Sequence, residues 1–305
     1  MKQLLGRLLS WALVVILVHA AAFMMVRSVR GGPFDSERDL PPEVEQALLS
    51  EYHLDEALPL QYLRSLKGLL RLEFGPSLRY RGHQVEAIIA DALPLSLMLG
   101  LGALLVAMLV GIPAGIFAAS RRARAADHLI RTAATIALSL PNFVIAGALI
   151  AVFSFQLSWL PPAGQGGWSH LVMPILALGL PFAAQLARLS RNSALEALES
   201  PAAQAARARG LGSGIILRRH ILRRALLPVV AFLGPAAAGI LTGSLVIEQV
   251  FALPGLGAHF VQAALNRDYT LALGVTVTYT AILGLLVLIG DLLLAKLDPQ
   301  VDSLS

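Results

Sequence analysis

The sequence contains a run of 56 residues, Thr132 to Ala187, without any Asp, Glu, Lys or Arg. At about 1.5 Å per residue, a helix of that length would far exceed one membrane crossing. The run therefore predicts two membrane-spanning helices. We expect the break between them at Trp159 to Trp168, where prolines and glycines interrupt a helix and two tryptophans suit the membrane interface.

Four more uncharged apolar stretches are each long enough to cross a bilayer as a helix. They are Leu8 to Val26, Ala92 to Ser120, Ala225 to Ile247 and Tyr269 to Gly290. With 56% hydrophobic and 14% charged residues, the composition lies outside the range of ordinary soluble proteins. The sequence therefore predicts an all-α membrane protein with six transmembrane helices.

Arginines are distributed unevenly over the loops. Four lie between spans two and three and eight between spans four and five, whereas the alternate loops, Leu157 to His170 and Phe251 to Asp268, together contain only Arg267. The positive-inside rule places the arginine-rich loops and both chain termini in the cytoplasm. Because the basic residues lie between spans, the net charge of +5 indicates membrane lipid as a partner and no nucleic acid.

These spans divide the chain into four segments. Residues 1–29 are a cytoplasmic tip with the first transmembrane helix, residues 30–86 an external (periplasmic) helical region, residues 87–293 a membrane core with helices two to six, and residues 294–305 a cytoplasmic tail. Lys2 and Arg7 before an apolar run also resemble a signal peptide. That run continues through Val26, which is longer than a typical signal core, so we expect the first helix to be retained.

The chain lacks the groups with which a transporter harvests energy by itself. A Walker loop needs a Gly-Lys pair, and none of the three lysines, Lys2, Lys67 and Lys296, follows a glycine. Ionisable residues, which proton-coupled carriers use at mid-membrane, are almost absent from the spans. Cysteine and metal-binding spacings are also missing. We expect a chain without catalytic residues or a metal site, driven by another protein.

The cytoplasmic loop 188–228 is rich in helix formers and long enough for two short helices. Leu195 to Arg209 is expected to be helical, with Pro201 near a helix start or kink and Gly210 ending the helix. Ile215 to Leu227 is amphipathic, which suits a second helix on the membrane surface. Charge alone indicates only that this loop faces the cytoplasm and contacts lipid headgroups.

The order of residues in this loop is more specific than its charge. The loop contains Ala206-Arg207-Ala208-Arg209-Gly210-Leu211, then Arg219-His220, then Ala225-Leu226-Leu227-Pro228. This order resembles the coupling-loop signature of binding-protein-dependent ABC permeases of the dipeptide and oligopeptide class. The general signature begins Glu-Ala-Ala, where this chain has Gln204-Ala205-Ala206, and Arg224 stands where Asn is usual.

Further motifs extend the resemblance over nearly the whole chain. Those in the membrane core are Ser139-Leu140-Pro141, Arg188, Arg191, Glu196, Glu248, Pro254-Gly255-Leu256-Gly257 and Asn266-Arg267-Asp268-Tyr269, and Asp298-Pro299 follows in the C-terminal tail. In the external region, Gly31-Gly32-Pro33-Phe34 and Phe74-Gly75-Pro76-Ser77 look most like the first permease subunit of oligopeptide importers. The order and spacing of these motifs are more specific than any one of them.

The resemblance implies the type I permease fold of ABC importers, with a cytoplasmic coupling helix between spans four and five. It implies import of oligopeptides across a bacterial inner membrane by alternating access. The implied partners are a second homologous permease subunit, two ABC ATPase subunits and an extracytoplasmic peptide-binding protein. ATP and Mg²⁺ would be bound by the ATPases, with no cofactor on this chain.

Two groups of candidate site residues follow. The resemblance assigns ATPase coupling to Gln204, Ala205, Ala206, Arg207, Arg209, Gly210, Leu211, Arg219 and His220. Pro141, Asn142 and Glu248 are candidates to line the translocation path, since they are the kinking or polar residues of otherwise apolar spans. For Glu248 the alternative is a structural role, as partner of a backbone amide or an arginine.

Other functions remain open at this stage. Within the wider family the substrate could be a dipeptide, nickel, an opine or a peptide antibiotic. Outside it, a proton-coupled carrier working alone would take up substrate after ATP depletion, and a membrane scaffold would cause no uptake defect when deleted.

Overall fold

Helix is the main regular structure of the chain, as expected where lipid offers the backbone no hydrogen-bonding partner. The computed structural model describes residues 2–28, 42–216 and 222–297. Its helices are α1 (Lys2–Ser28), α2 (Pro42–Glu51), α3 (Leu58–Arg71), α4 (Val85–Val106), α5 (Ile112–Ser120), α6 (Ala125–Ser139), α7 (Asn142–Leu149), α8 (Ser169–Glu199), α9 (Pro201–Ala208), α10 (Ser213–Ile216), α11 (Leu222–Val250), α12 (Leu256–Leu265) and α13 (Tyr269–Leu297). π-Helical turns follow α4 (Ala107–Gly111) and α7 (Ile150–Gln156).

Five helical stretches in the described residues are long and apolar enough to cross a membrane. They are Leu5–Ser28, Val85–Ser120, Ser169–Glu199, Leu226–Val250 and Tyr269–Lys296. A sixth span is obtained if the bent pair Ala125–Ser139 and Asn142–Gln156 counts as one. This agrees with the six predicted spans, and the predicted break at Trp159 to Trp168 is confirmed as a non-helical segment.

The third predicted span is bent at Pro141, which was predicted as a kinking residue, but the size of the bend was not predicted. The two helices of the pair meet at an angle of 108°. The bend lies at Leu140 and Pro141, where Leu140 is extended (φ −96°, ψ 130°). Proline has no N–H for a helical hydrogen bond and disfavours the helical conformation in the residue before it, so the helix ends here.

By internal packing the chain divides into two units, Met1–Ser96 with Pro254–Gly284, and Leu97–Leu253 with Leu285–Ser305. These units join distant parts of the chain, so they do not test the linear segments 1–29, 30–86, 87–293 and 294–305, which stay a prediction. In the second unit, α8 is the central helix and contacts α5, α6, α7, α9 and α11.

Small residues allow α5 and α8 to approach closely in the second unit. Gly111 and Gly115 lie four residues apart, a spacing that places both on one helix face. A Cβ atom at Gly111 would lie 2.3 Å from the carbonyl oxygen of Ala183, and one at Gly115 would lie 2.2 Å from that of Ala187. The two backbones therefore approach closely at both glycines, and beside Gly115 the Ser190 hydroxyl of α8 also lies in contact, 2.1 Å from the Cβ position.

In the first unit, the described part of residues 30–86 contains α2 and α3, joined and followed by non-helical segments, and its external position stays a prediction. Helix α3 packs on α1. His19 Nε2 lies 2.9 Å from Ser65 Oγ, and the rings of Phe23 and Tyr62 meet edge to face with centroids 5.4 Å apart. The segment Phe251 to Asp268, predicted as a loop, contains the uncharged ten-residue helix α12.

The buried carboxylate of Asp268 joins the loop before α4 to the start of α13. It accepts hydrogen bonds from the Ser77 hydroxyl and from the N–H of Leu78 at 3.2 Å. It also accepts the N–H of Leu271, the third residue of α13, at 3.1 Å, which makes it the N-cap of that helix. The sequence motif contained Asp268, but only the structure gives it this role.

Replacing Asp268 with alanine is expected to lower the free energy of unfolding by about 2 to 6 kcal/mol, because buried N–H groups lose a charged acceptor. The melting temperature of the detergent-solubilised chain measures this. Asp268→Asn keeps one acceptor oxygen, so its melting temperature should lie between those of the parent and the alanine variant. If the alanine variant and the parent melted together, Asp268 would not be the link described here.

Candidate docking site on helix α9

Helix α9 is an eight-residue helix that begins directly after the long helix α8. Ser200 separates the two helices and is extended (φ −65°, ψ 150°), because Pro201 disfavours a helical conformation before it. Pro201 takes the first position of α9, and the Ser200 hydroxyl accepts the N–H of Ala203 at 3.4 Å. The predicted single helix from Leu195 to Arg209 is therefore wrong, although Pro201 at a helix start was anticipated.

Gly210 ends α9, as predicted. Its φ of +78° lies in the left-handed region, where glycine has no steric penalty. The Gly210 N–H bonds to the carbonyl of Arg207 at 2.9 Å, and the Leu211 N–H bonds to that of Ala206 at 3.2 Å. These two hydrogen bonds form a Schellman motif, which fixes the direction in which the chain leaves α9.

The inner side of α9 packs through alanines. The buried cluster comprises Ala119 at the end of α5, Ala194 and Ala197 of α8, Ala203 and Ala206 of α9, and Ile216. Small side chains permit close approach of the helix backbones. Helix α9 therefore packs directly on the ends of two helical stretches that are long enough to span a membrane.

The outer side of α9 carries most of the residues predicted to couple to an ATPase. Gln204, Ala205, Arg207, Arg209, Gly210 and Leu211 are all exposed. Leu211 is an apolar side chain with 37% of its surface exposed. Ala206 is buried, so it contributes packing and not surface, while Arg219 and His220 lie outside the described residues.

Three of these side chains fold back onto backbone carbonyls. Arg207 Nη2 donates to Leu198 O at 3.0 Å, and Gln204 Nε2 donates to Glu199 O at 3.1 Å, both at the carboxyl end of α8. Arg209 Nε donates to Ala205 O at 3.3 Å. A helix ends in carbonyls without intrahelical partners and with partial negative charge, so donors and cations are favourable there. Glutamate at 204 could not donate this bond.

Gln204→Glu is therefore expected to loosen α9, because a carboxylate would face the carbonyl of Glu199. The lost hydrogen bond and the added repulsion should lower the local stability of α9 by about 1 kcal/mol. Amide hydrogens in α9 should then exchange about fivefold faster. Hydrogen exchange with mass spectrometry measures that rate. Gln204→Ala removes the bond alone and should exchange more slowly than Gln204→Glu; the reverse order would contradict the assigned contact.

The predicted second surface helix, Ile215 to Leu227, is described by the structure only in part, so it stays a prediction. Ser213–Ile216 forms α10, and Leu222 already belongs to α11, the helix of the fifth span. Residues 217–221 lie outside the described part. The fifth helix starts at Leu222, three residues before the uncharged stretch that begins at Ala225, because the intervening residues favour helix. Pro228 lies inside α11.

A buried ion pair fixes the neighbouring arginine-rich loop to α8. Arg191 donates two hydrogen bonds to Asp127, from Nε at 2.6 Å and from Nη2 at 2.8 Å. Asp127 also accepts the N–H of Ala123 at 3.0 Å. Sequence reasoning missed Asp127, although it is the one acidic residue among four arginines between Arg121 and Arg131.

The three candidates for the translocation path have different surroundings. Pro141 is exposed at the bend, and Asn142 is half-buried at the start of α7. A Cβ atom at Gly243 of α11 would lie 2.9 Å from Asn142 Nδ2, so Asn142 packs against that glycine. Glu248 is completely buried. A path-lining role for these residues stays a prediction.

Known proteins match this chain along its whole length. The model of the family described as binding-protein-dependent transport system inner membrane component matches residues 111–303. The oligopeptide transport system permease proteins OppB of Salmonella typhimurium and of Escherichia coli K12 are each 39% identical to it, over 99% of both chains. The dipeptide transport system permease protein DppB of Bacillus subtilis is 35% identical, over 98% of this chain and 97% of its own.

A solved structure supports the fold. A chain of the MetNI methionine ABC transporter in inward-facing conformations matches with a TM-score of 0.57 and 17% identity, over 69% of this chain and 96% of its own. At this identity the likeness bears on the fold alone, and the predicted type I permease fold is confirmed. The helices, the family match and the full-length relatives agree that this chain belongs to the family of inner membrane components of binding-protein-dependent transport systems.

Proposed function

We propose that this chain is a transmembrane permease subunit of an ATP-driven importer of oligopeptides. The observation that carries this is the 39% identity over 99% of both chains to permeases named for oligopeptide transport. The lower identity, 35%, to a dipeptide permease ranks dipeptides second. Nickel, opines and peptide antibiotics rank below both.

The assembly around the chain is proposed on the same basis. A substrate-binding protein delivers peptide from outside, a second homologous permease completes the pathway, and two ATPase subunits bind ATP and Mg²⁺. This chain binds no cofactor and catalyses no reaction. Both termini and α9 face the cytoplasm, which the arginine-rich loops support.

Helix α9 is the proposed docking element for an ATPase. It is short, capped at both ends and packed through alanines onto the ends of α8 and α5. Its exposed side presents small residues, two arginines and Leu211. ATP binding by the ATPases would move α9, and α9 would tilt the membrane-spanning helices on which it packs. This motion would open the pathway first to one side of the membrane and then to the other.

The experiment is uptake of a labelled oligopeptide into proteoliposomes that contain the full importer. Uptake should require ATP on the ATPase side and the binding protein on the other side, and it should continue after a protonophore collapses the proton gradient. Vesicles without this chain are the control. Uptake that survived ATP removal but stopped with the protonophore would indicate a proton-coupled carrier instead.

A further inference from the structure

A cavity of about 470 Å³ lies in the first unit, at the end of α1. One wall is a face of α3, and the others are Phe23 to Arg27 of α1, residues 51–53 at the end of α2, residues 73–76 and the start of α13. Helix α1 ends at Ser28 and α13 begins at Tyr269, and both helices are long and apolar enough to span a membrane. The cavity therefore lies at the level of a membrane surface.

Four cationic side chains line this cavity: Arg27, Arg64, Lys67 and Arg71. Arg64 is neutralised by Glu56, with Nη2 to Oε1 at 2.6 Å. Within the described residues, the other three cations form no ion pair and donate no side-chain hydrogen bond. Two carboxylates also line the cavity, Glu51 and Glu73, and neither pairs with a cation in the described part of the chain.

Arg27 is the half-buried member of this set. Its guanidinium lies over the rings of Phe23 and Tyr269, with Cζ 5.4 and 5.6 Å from the ring centres. These aromatic contacts hold the guanidinium through its charge, and among the described residues its N–H donors have no acceptor. A planar fork of free donors matches the oxygens of a phosphate.

The flank of the cavity is apolar and exposed. On α3, Leu63 and Leu70 are seven residues apart and so lie on one side, next to the strip that carries Lys67 and Arg71. Leu63 is 59% exposed and Leu70 is 78% exposed. An exposed leucine strip beside a basic strip is typical of a helix that lies in the membrane interface.

We propose that this cavity binds the headgroup of an anionic phospholipid. The phosphate would contact Arg27, Lys67 and Arg71, and the acyl chains would lie along Leu63 and Leu70. Basic pockets between transmembrane helices bind such headgroups on the cytoplasmic side, and the same contacts between phosphate and cations would act in this cavity. The exposed leucines favour a lipid over a free anion, which would gain nothing from them.

The test uses the full-length chain in nanodiscs of phosphatidylcholine that contain a minority of phosphatidylglycerol. Native mass spectrometry counts the phosphatidylglycerol molecules that stay bound after release from the disc. Arg27→Gln is expected to weaken retention about fivefold, and the double variant Lys67→Gln, Arg71→Gln about thirtyfold. The double variant changes exposed residues only, so it tests the site even if Arg27→Gln fails to fold.

Arg81→Gln is the matched control, because Arg81 is exposed in the same unit and does not line the cavity. It should retain as much phosphatidylglycerol as the parent. If Arg81→Gln lost as much bound lipid as Arg27→Gln and the double variant, the proposal would be overturned. Displacement of the lipid by an equal concentration of inorganic phosphate would overturn it in favour of a free-anion site. A third outcome concerns Asp35, Glu37 and Asp39, which precede α2 in the sequence. If phosphatidylglycerol bound only after Asp35, Glu37 and Asp39 were replaced with Asn and Gln, these acidic side chains would be the native partners of the cavity's cations. That result would overturn the lipid proposal.

Discussion

Valine in place of Gly210 is expected to reduce ATP-dependent oligopeptide uptake about tenfold. Gly210 has a φ of +78°, and a side chain in this left-handed region costs about 1 to 2 kcal/mol, with β-branched residues at the upper end. A Cβ atom at Gly210 would meet no atom within 4 Å, so the effect is purely conformational. The Schellman motif would open, and Leu211 would leave its place at the end of α9.

Asparagine at the same position is the matched control, because it tolerates the left-handed conformation better than other non-glycine residues. Gly210→Asn should keep most of the uptake in proteoliposomes and should copurify with the ATPases, whereas Gly210→Val should lose both. If the two variants transported equally well, the geometry at the end of α9 would not matter for coupling, and the proposed docking site would be wrong.

Leucine in place of Gly115 is expected to destabilise the second unit by at least about 3 kcal/mol. A Cβ atom there would lie 2.2 Å from the carbonyl oxygen of Ala187 and 2.9 Å from the backbone nitrogen of Arg191. Backbone atoms cannot move aside as a flexible side chain does, so α5 and α8 would have to separate. The amount of chain in the membrane and its melting temperature measure the effect.

Gly147→Leu provides the comparison for this substitution. Gly147 also lies in an apolar helix, α7, but a Cβ atom there would meet nothing within 4 Å. This variant should accumulate in the membrane and melt like the parent. Should Gly115→Leu behave as Gly147→Leu does, the close contact between α5 and α8 would not exist in the native protein.

Much of the fold could be predicted because lipid imposes a simple rule. A backbone in hydrocarbon must satisfy its own hydrogen bonds, so each uncharged stretch of sufficient length had to be helical. The break at Trp159 to Trp168 could also be predicted, because its prolines and glycines interrupt a helix. Pro141 was recognised as a kinking residue, but the 108° angle depends on how α6 and α7 each pack on α8, and a proline alone does not specify that.

The candidate site was predicted in part. The sequence placed a helix before Gly210 and a stop at Gly210, because left-handed geometry favours glycine. It did not separate α9 from α8, although Pro201 carried the signal, since the residue before a proline disfavours helix. The hydrogen bond from Gln204 to the end of α8 could not be predicted from the sequence, because it depends on the angle between two consecutive helices.

The sequence by itself determined the membrane class, the number of apolar spans and the helix stop at Gly210, because hydrocarbon length and backbone geometry act locally along the chain. Only the tertiary structure decided which side of α9 is exposed. It also brought Asp268 to Ser77, Arg191 to Asp127, and Arg27 to the cavity beside α3. These contacts join residues distant in sequence, and packing between helices, which no local pattern encodes, sets their geometry.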